Sequence, residues 1–169
     1  LGPIGLLIVE ALRAAGASKI YAVELSAERQ AKAEELGAIV VRPEEGESIV
    51  EAIHRLTDGG ADVSYEVTGV PVVLGQALAA VHKAGECMVV SIWEREASIN
   101  PNEFAIQEKT LKGIIAYRHI FPKVLELMEQ GYFSAEKLVT KKIKLENIVE
   151  EGFVELTQDK AQIKILVEP

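Results

Sequence analysis

The chain has 169 residues, of which 49% are hydrophobic and 26% are charged, enough for one sizeable core or one core with an appendage. Its formal net charge of −8 at pH 7 argues against nucleic acid and anionic membranes as partners. The sequence shows no apolar run near the ~20 residues of a membrane span, no signal peptide and one cysteine, Cys87, so we expect a cytoplasmic protein.

The chain opens with a glycine turn. Its first residues, Leu1-Gly2-Pro3-Ile4-Gly5, match the last five positions of G-x-G-x-x-G, the turn that lets a pyrophosphate approach the N-terminus of the next helix. Residues 6–15 predict that helix, which Gly16 ends. The pattern therefore predicts Gly2, Pro3, Ile4 and Gly5 as a phosphate-binding turn, although an ordinary turn has the same composition. Because the first glycine and the preceding strand are missing, we expect a piece of a longer protein.

An acidic residue follows the first predicted strand, at residues 19–23. Glu24 lies nineteen residues after Gly5, close to the spacing of roughly twenty at which a Rossmann acid accepts hydrogen bonds from the adenosine ribose. A carboxylate there repels the 2′-phosphate of NADP, so the pattern favours NAD. Arg29, in the helix predicted at 26–36, could neutralise that phosphate and leaves NADP open. The alternative is that Glu24 is a solvated residue opening the helix from Ser26.

Strands and helices then alternate along the chain. Further strands are predicted at 38–41, 61–67, 86–92 and 110–117, and further helices at 46–57, 71–82 and 100–109. Repeating βα units predict an α/β protein with a parallel sheet. We expect residues 1–118 to form a Rossmann-type, doubly wound parallel sheet that lacks its first strand.

The residues that follow each strand are the remaining candidates for cofactor binding, because ligands of such sheets lie across the carboxyl ends of the strands. They are Val67, Thr68, Gly69 and Val70 after one strand, Ser91, Ile92 and Trp93 after the next, and Arg118 after the last. A glycine at position 69 lets the backbone approach the nicotinamide half of a dinucleotide, but an ordinary turn fits as well. Trp93 could instead anchor an interface, and Arg118 could bind phosphate or cap the sheet.

Beyond Arg118 the pattern changes. Helices are predicted at 121–130 and 145–156, and strands at 138–144 and 163–167. Because a complete Rossmann sheet leaves these two strands without partners, we expect residues 119–169 to return to a second domain that lies mostly upstream of Leu1.

Several stretches together resemble the C-terminal half of the zinc-dependent medium-chain alcohol and polyol dehydrogenases: GPIGLL, ALRAAGASKI, VELSAER, GGADVSYEVTGVP, SIWEREASINPNEFAIQEKTLKG and KILVEP. The resemblance covers essentially the whole chain. Within that family the sequence is most similar to the (R,R)-2,3-butanediol dehydrogenases, chiefly through the SIWE and NPNEF stretches, with sorbitol and threonine 3-dehydrogenases as near relatives.

The resemblance implies oxidation of a small secondary alcohol or diol, of the 2,3-butanediol/acetoin type, to a ketone by hydride transfer to NAD. It places the zinc ligands and the catalytic domain, which has a GroES-like fold, in the other half of the protein, so no residue here is assigned as catalytic or metal-binding. The three histidines do not have the sequence spacing typical of zinc ligands: they are His54, His82 and His119. We therefore expect the chain alone to be inactive.

The resemblance also implies a homo-oligomer that pairs through residues 93–117. A sorbitol or threonine 3-dehydrogenase, or a stand-alone NAD-binding module without catalysis, remains as an alternative to the butanediol dehydrogenase.

Overall fold

The structure, a computed structural model, describes residues 1–133, 135–159 and 161–169. Its strands are β1 (Tyr21–Ala22), β2 (Ile39–Val40), β3 (Ala61–Glu66), β4 (Val81–Val89), β5 (Thr110–Gly113), β6 (Val139–Lys144) and β7 (Lys164–Glu168). Its helices are α1 (Pro3–Ala14), α2 (Ala27–Glu35), α3 (Ile49–Thr57), α4 (Pro71–Ala80), α5 (Pro101–Gln107), α6 (Phe121–Glu129), α7 (Ala135–Leu138) and α8 (Glu155–Gln158). A 3-10 turn at Leu145–Asn147 and a π-helical segment at Ile148–Val154 precede α8.

The chain divides into two compact units. One contains residues 1–40 and 118–169, and the other contains residues 41–117. The assignment of residues 1–118 and 119–169 to separate domains stays a prediction.

In the unit of residues 1–40 and 118–169, β1 pairs with β2 and β6 pairs with β7, and both pairings are parallel. The expectation that the two C-terminal strands lack a partner within the chain is therefore wrong, because they pair with each other. The core of this unit is a buried cluster of apolar residues from both ends of the chain: Leu6, Val9, Ile20, Ala22, Ala33, Leu36, Ala38, Leu138 and Ile163.

In the unit of residues 41–117, a three-stranded parallel sheet has the order β3-β4-β5. Its central strand carries Cys87, which pairs with Ser64 on one side and Leu111 on the other. Cys87 is fully buried with Leu74 and Leu78 of α4, and this burial raises the pKa of the thiol.

The predicted strands occur in the predicted order. The helix predicted at 145–156 is instead a 3-10 turn, a π-helical segment and the short helix α8, and among the strands the largest shift is at β4. This strand begins at Val81 rather than residue 86, and α4 ends at Ala80 rather than His82. Val81 pairs with Ala61, and the register then jumps to Val63 opposite Glu86. Pairing in the sheet thus overrides the helical pattern of these residues, and the extra residues form a bulge.

All of these strand pairings are parallel, so the Rossmann-like α/β fold is confirmed. Among the described residues, none of the helices combines the length and apolar character needed to cross a membrane.

Helix α3 offers a test of local stabilisation. The Ser48 hydroxyl accepts a hydrogen bond from the Glu51 N–H at 3.2 Å, and the Glu51 carboxylate accepts one from the Ser48 N–H at 2.8 Å, a reciprocal capping box. We expect Ser48→Ala to lower the free energy of unfolding by about 1 kcal/mol in urea denaturation. Ser18→Ala, at an exposed serine outside the helices, is the control and should change it little. Equal losses of unfolding free energy in both variants would contradict the role of the cap.

Candidate functional site

The glycine turn forms the N-terminus of α1. Gly2 is the N-cap residue and Pro3 opens the helix, with the Leu6 N–H donating to the Gly2 carbonyl at 3.0 Å. Among the described residues, no side chain caps this end, and a Cβ at Gly2 would meet no atom within 4 Å. The described side chains therefore leave this helix end without a cap, and the helix dipole there favours an anion.

Glu24 lies at the end of β1 and beside this turn. One carboxylate oxygen, Oε1, accepts hydrogen bonds from the N–H groups of Leu25 at 2.7 Å and Ser26 at 3.0 Å. The other, Oε2, contacts the nitrogen of Leu1. The structure thus brings together two features that the sequence predicts separately, the glycine turn and the acidic residue.

The surroundings of Glu24 keep its carboxylate in place. Burial raises its pKa, but hydrogen bonds from the Leu1 ammonium and from the Ser26 and Leu25 N–H groups outweigh burial, so the pKa lies below its ordinary value. A peptide nitrogen at Leu1 can still donate the same hydrogen bond. Arg29 is half-buried in the first turn of α2, and its backbone N–H donates to the capping Ser26 hydroxyl at 3.4 Å.

The second group of predicted residues lies at the carboxyl ends of β3 and β4, in the unit of residues 41–117. An open cleft of about 480 Å³ at this edge is lined by Thr68, Gly69, Val70, Pro71, Ile92, Glu94 and Arg95. Four of the predicted residues, from two separate strand ends, thus share one cleft: Thr68, Gly69, Val70 and Ile92. Pro71, Glu94 and Arg95 are additions that the sequence analysis missed.

Gly69 is required where the two strand ends meet. Its φ is +70°, a left-handed conformation, and a Cβ would lie 2.9 Å from the carbonyl oxygen of Ile92. Both backbone conformation and space therefore demand glycine. The prediction that this glycine lets the backbone approach the nicotinamide half of a dinucleotide stays a prediction.

Glu66, the last residue of β3, is the main site residue that the sequence analysis missed. Its side chain is fully buried, and its Oε1 accepts hydrogen bonds from the Thr68 N–H at 2.7 Å, the Thr68 hydroxyl at 2.6 Å and the Gly69 N–H at 3.0 Å. Its Oε2 accepts a hydrogen bond from the Ser91 hydroxyl. The available signal was an acid at the end of a strand, two residues before Thr68-Gly69.

The other predicted residues are spread around these two groups. Trp93 is half-buried and packs against the cluster of Leu74, Leu78 and Cys87. Val67 is half-buried at the end of β3. Arg118 is exposed between β5 and α6 and belongs to the unit of residues 1–40 and 118–169.

Potential metal ligands do not converge. In the ranges 1–133, 135–159 and 161–169, no group of three or more His, Cys, Asp or Glu side chains could hold a metal ion. His54 contacts the Ala79 carbonyl at 2.8 Å through Nε2, and His82 contacts Asp62 at 3.2 Å. These residues therefore do not fit a zinc ion by themselves.

Parallel strands joined by helices, a glycine turn at the first helix and an acid after β1 define a Rossmann-like α/β protein. The chain belongs to the zinc-binding dehydrogenase family, whose family model matches residues 3–130. This match confirms the resemblance found in the sequence.

Among its relatives, the chain is 62% identical over 168 residues to the (R,R)-butanediol dehydrogenase of Bacillus subtilis (strain 168), covering 99% of this chain and 49% of that protein. The crystal structure of 2R,3R-butanediol dehydrogenase from Bacillus subtilis matches with a TM-score of 0.95 over 99% of this chain and 48% of that chain. A short chain alcohol dehydrogenase from Escherichia coli CFT073, complexed with NADH, shares the fold at 18% identity, with a TM-score of 0.89 over 99% of this chain and 50% of that chain. The chain thus spans about half the length of these proteins.

Replacing Gly69 tests the geometry of the cleft. We expect Gly69→Ala to lower the free energy of unfolding by about 1–2 kcal/mol from the left-handed backbone alone, with more from the contact with Ile92. Gly75→Ala is the matched control, because Gly75 is an exposed residue in α4 where a Cβ meets nothing among the described residues within 4 Å. The control should raise stability by about 0.5–1 kcal/mol. Urea denaturation measures both, and a stabilising Gly69→Ala would refute the constraint.

Proposed function

We propose that this chain is the cofactor-binding part of a zinc-dependent dehydrogenase that oxidises a secondary alcohol or diol to a ketone with NAD. The observation that carries the proposal is the placement of Glu24 beside the glycine turn of α1. Family membership supports the dehydrogenase class. A substrate of the 2,3-butanediol/acetoin type is supported by the 62% identity with the butanediol dehydrogenase.

Each group of residues has a role in holding the dinucleotide. The N-terminus of α1, with Gly2, Pro3, Ile4 and Gly5, binds the pyrophosphate. Gly2, Ile4 and Gly5 offer backbone N–H groups, and Pro3, which has none, fixes the start of the helix. Glu24 accepts hydrogen bonds from the adenosine ribose hydroxyls. The cleft at the ends of β3 and β4 takes the nicotinamide half, and bound NAD would supply a hydride acceptor there.

The polar groups of the cleft are largely used within the protein. The Thr68 hydroxyl donates to Glu66 and accepts from the Val70 N–H at 3.1 Å. Thr68 therefore contributes to the shape of the cleft rather than offering a free hydroxyl to a ligand. Glu94 and Arg95 supply the charged side chains of the cleft lining.

Zinc chemistry has to come from residues outside this stretch, because the described residues do not fit the ion. We place the zinc ligands in the half of the relatives that this chain does not span. The inactivity of the chain alone stays a prediction on the same ground.

The choice of NAD over NADP rests on Glu24. A glutamate carboxylate is negative at neutral pH, where it repels a 2′-phosphate. Arg29, at the start of α2, is the residue that could offset this repulsion. The NADH complex of the fold neighbour from Escherichia coli is consistent with a dinucleotide on this fold.

Glu24→Ser in the full-length protein tests this proposal. Removing the carboxylate should reduce the NAD/NADP ratio of kcat/KM by about tenfold or more, because a like-charge repulsion disappears and a ribose acceptor is lost. Glu45→Ser, which removes the same charge at an exposed loop position, should leave the ratio unchanged. If the two variants keep the same ratio as the wild type, Glu24 does not select the cofactor.

The same proposal includes a homo-oligomer formed through residues 93–117. Strand β5 is the edge of its three-stranded sheet, and apolar residues near it are exposed, including Ile106, Ile114, Ile115 and Tyr117. An apolar sheet edge favours pairing with a second copy.

Ile115→Lys tests this interface. Ile115 is 79% exposed, and a lysine there should oppose pairing, so light scattering should show a smaller assembly than the wild type forms. Leu145→Lys, at a leucine that is 54% exposed in the other unit, is the control and should keep the wild-type mass. A wild type that remains monomeric at high concentration would exclude the interface.

A further inference from the structure

Glu66 joins two loops that are distant in sequence. Its Oε1 holds the Thr68–Gly69 segment that follows β3, and its Oε2 holds Ser91, which follows β4. Both loops contribute to the lining of the same cleft through Thr68, Gly69 and Ile92. One side chain therefore sets the separation of the two cleft walls.

The chemistry of this arrangement points away from a purely stabilising role. All four donors recorded on Glu66 are neutral N–H or O–H groups, while the side chain is fully buried. Burying a carboxylate without an opposite charge is costly, and apolar replacements of buried charged groups are often neutral or stabilising. What a carboxylate provides is acceptor capacity on both oxygens, enough to hold two loops at once.

The geometry of Gly69 makes the cleft sensitive to this anchor. Gly69 lies so close to Ile92 that even a Cβ would come within 2.9 Å of the Ile92 carbonyl oxygen. The Gly69 N–H points to Glu66 at 3.0 Å. Without the Glu66 carboxylate, the Gly69 N–H loses its hydrogen-bond acceptor. The loop is then free to move at the point where it lies closest to Ile92.

We propose that Glu66 is a positioning residue that holds the post-β3 and post-β4 loops in the conformation that receives the nicotinamide half of the dinucleotide. This inference rests on the proposed cofactor function. Glu66 acts through Thr68, Gly69 and Ser91, and it is not a catalytic residue.

Calorimetric titration of the full-length protein with NADH and with ADP-ribose, which lacks the nicotinamide, tests the assignment. We expect Glu66→Leu to weaken NADH binding by about tenfold or more, because buried donors lose their acceptor, while ADP-ribose binding stays near the wild-type value. Glu66→Gln should restore most of the NADH affinity, because the amide oxygen can accept from Thr68 and Gly69 while the amide N–H₂ donates to the Ser91 hydroxyl. Thermal melting of each variant accompanies the titrations.

The outcomes separate this inference from the function on which it rests. Wild-type protein that binds neither NADH nor ADP-ribose would overturn the proposed function. If the wild type binds both, a Glu66→Leu variant with unchanged NADH affinity, or with equal losses for both ligands, overturns the positioning role alone. A Glu66→Gln variant as weak as Glu66→Leu also overturns it.

Ser91→Ala keeps the test decisive if Glu66→Leu does not fold. It removes one donor from Oε2 and leaves the three hydrogen bonds to Oε1. The expected result is a loss of NADH affinity with unchanged ADP-ribose affinity. Glu24→Ser is the matched comparison, because a change on the adenosine side should weaken both ligands alike. Unchanged NADH binding by Ser91→Ala contradicts the proposal.

Discussion

Parallel strand pairing is the constraint on which the rest of this molecule depends. Two parallel strands cannot be joined by a tight hairpin, so the chain must cross back over the sheet, and helices such as α2 and α4 make these crossings. Parallel strands also end at the same edge. In the three-stranded sheet this edge brings Glu66 and Gly69, at the end of β3, next to Ile92, which follows the next strand.

The elements that the sequence predicted well are those decided by nearby residues. The Ser26 hydroxyl caps α2 and Gly16 follows α1 in a left-handed conformation, and both signals act within a few residues. The start of β4 could not be predicted in this way. Val81 leaves the helical pattern because it pairs with Ala61, twenty residues earlier, and no local signal reports that pairing.

The candidate site shows the same difference between features set by nearby residues and features set by distant ones. The glycine turn and Glu24 follow from a spacing that the sequence displays, and the strand-end residues follow from the topology once the strands are known. Glu66 was missed because its significance comes from Ser91, 25 residues away. In the sequence, Glu66 is an acidic residue in a strand. Only the structure of the strand ends shows that both of its carboxylate oxygens accept hydrogen bonds.

The burial of Cys87 has a practical consequence. It is the sole cysteine of the chain, and it lies on the central strand with neighbours on both sides. Because the thiol packs against Leu74 and Leu78 of α4 and burial raises its pKa, a thiol reagent reaches it when this packing opens. The rate of alkylation therefore reports how often the apolar cluster beside the cleft-bearing strands opens.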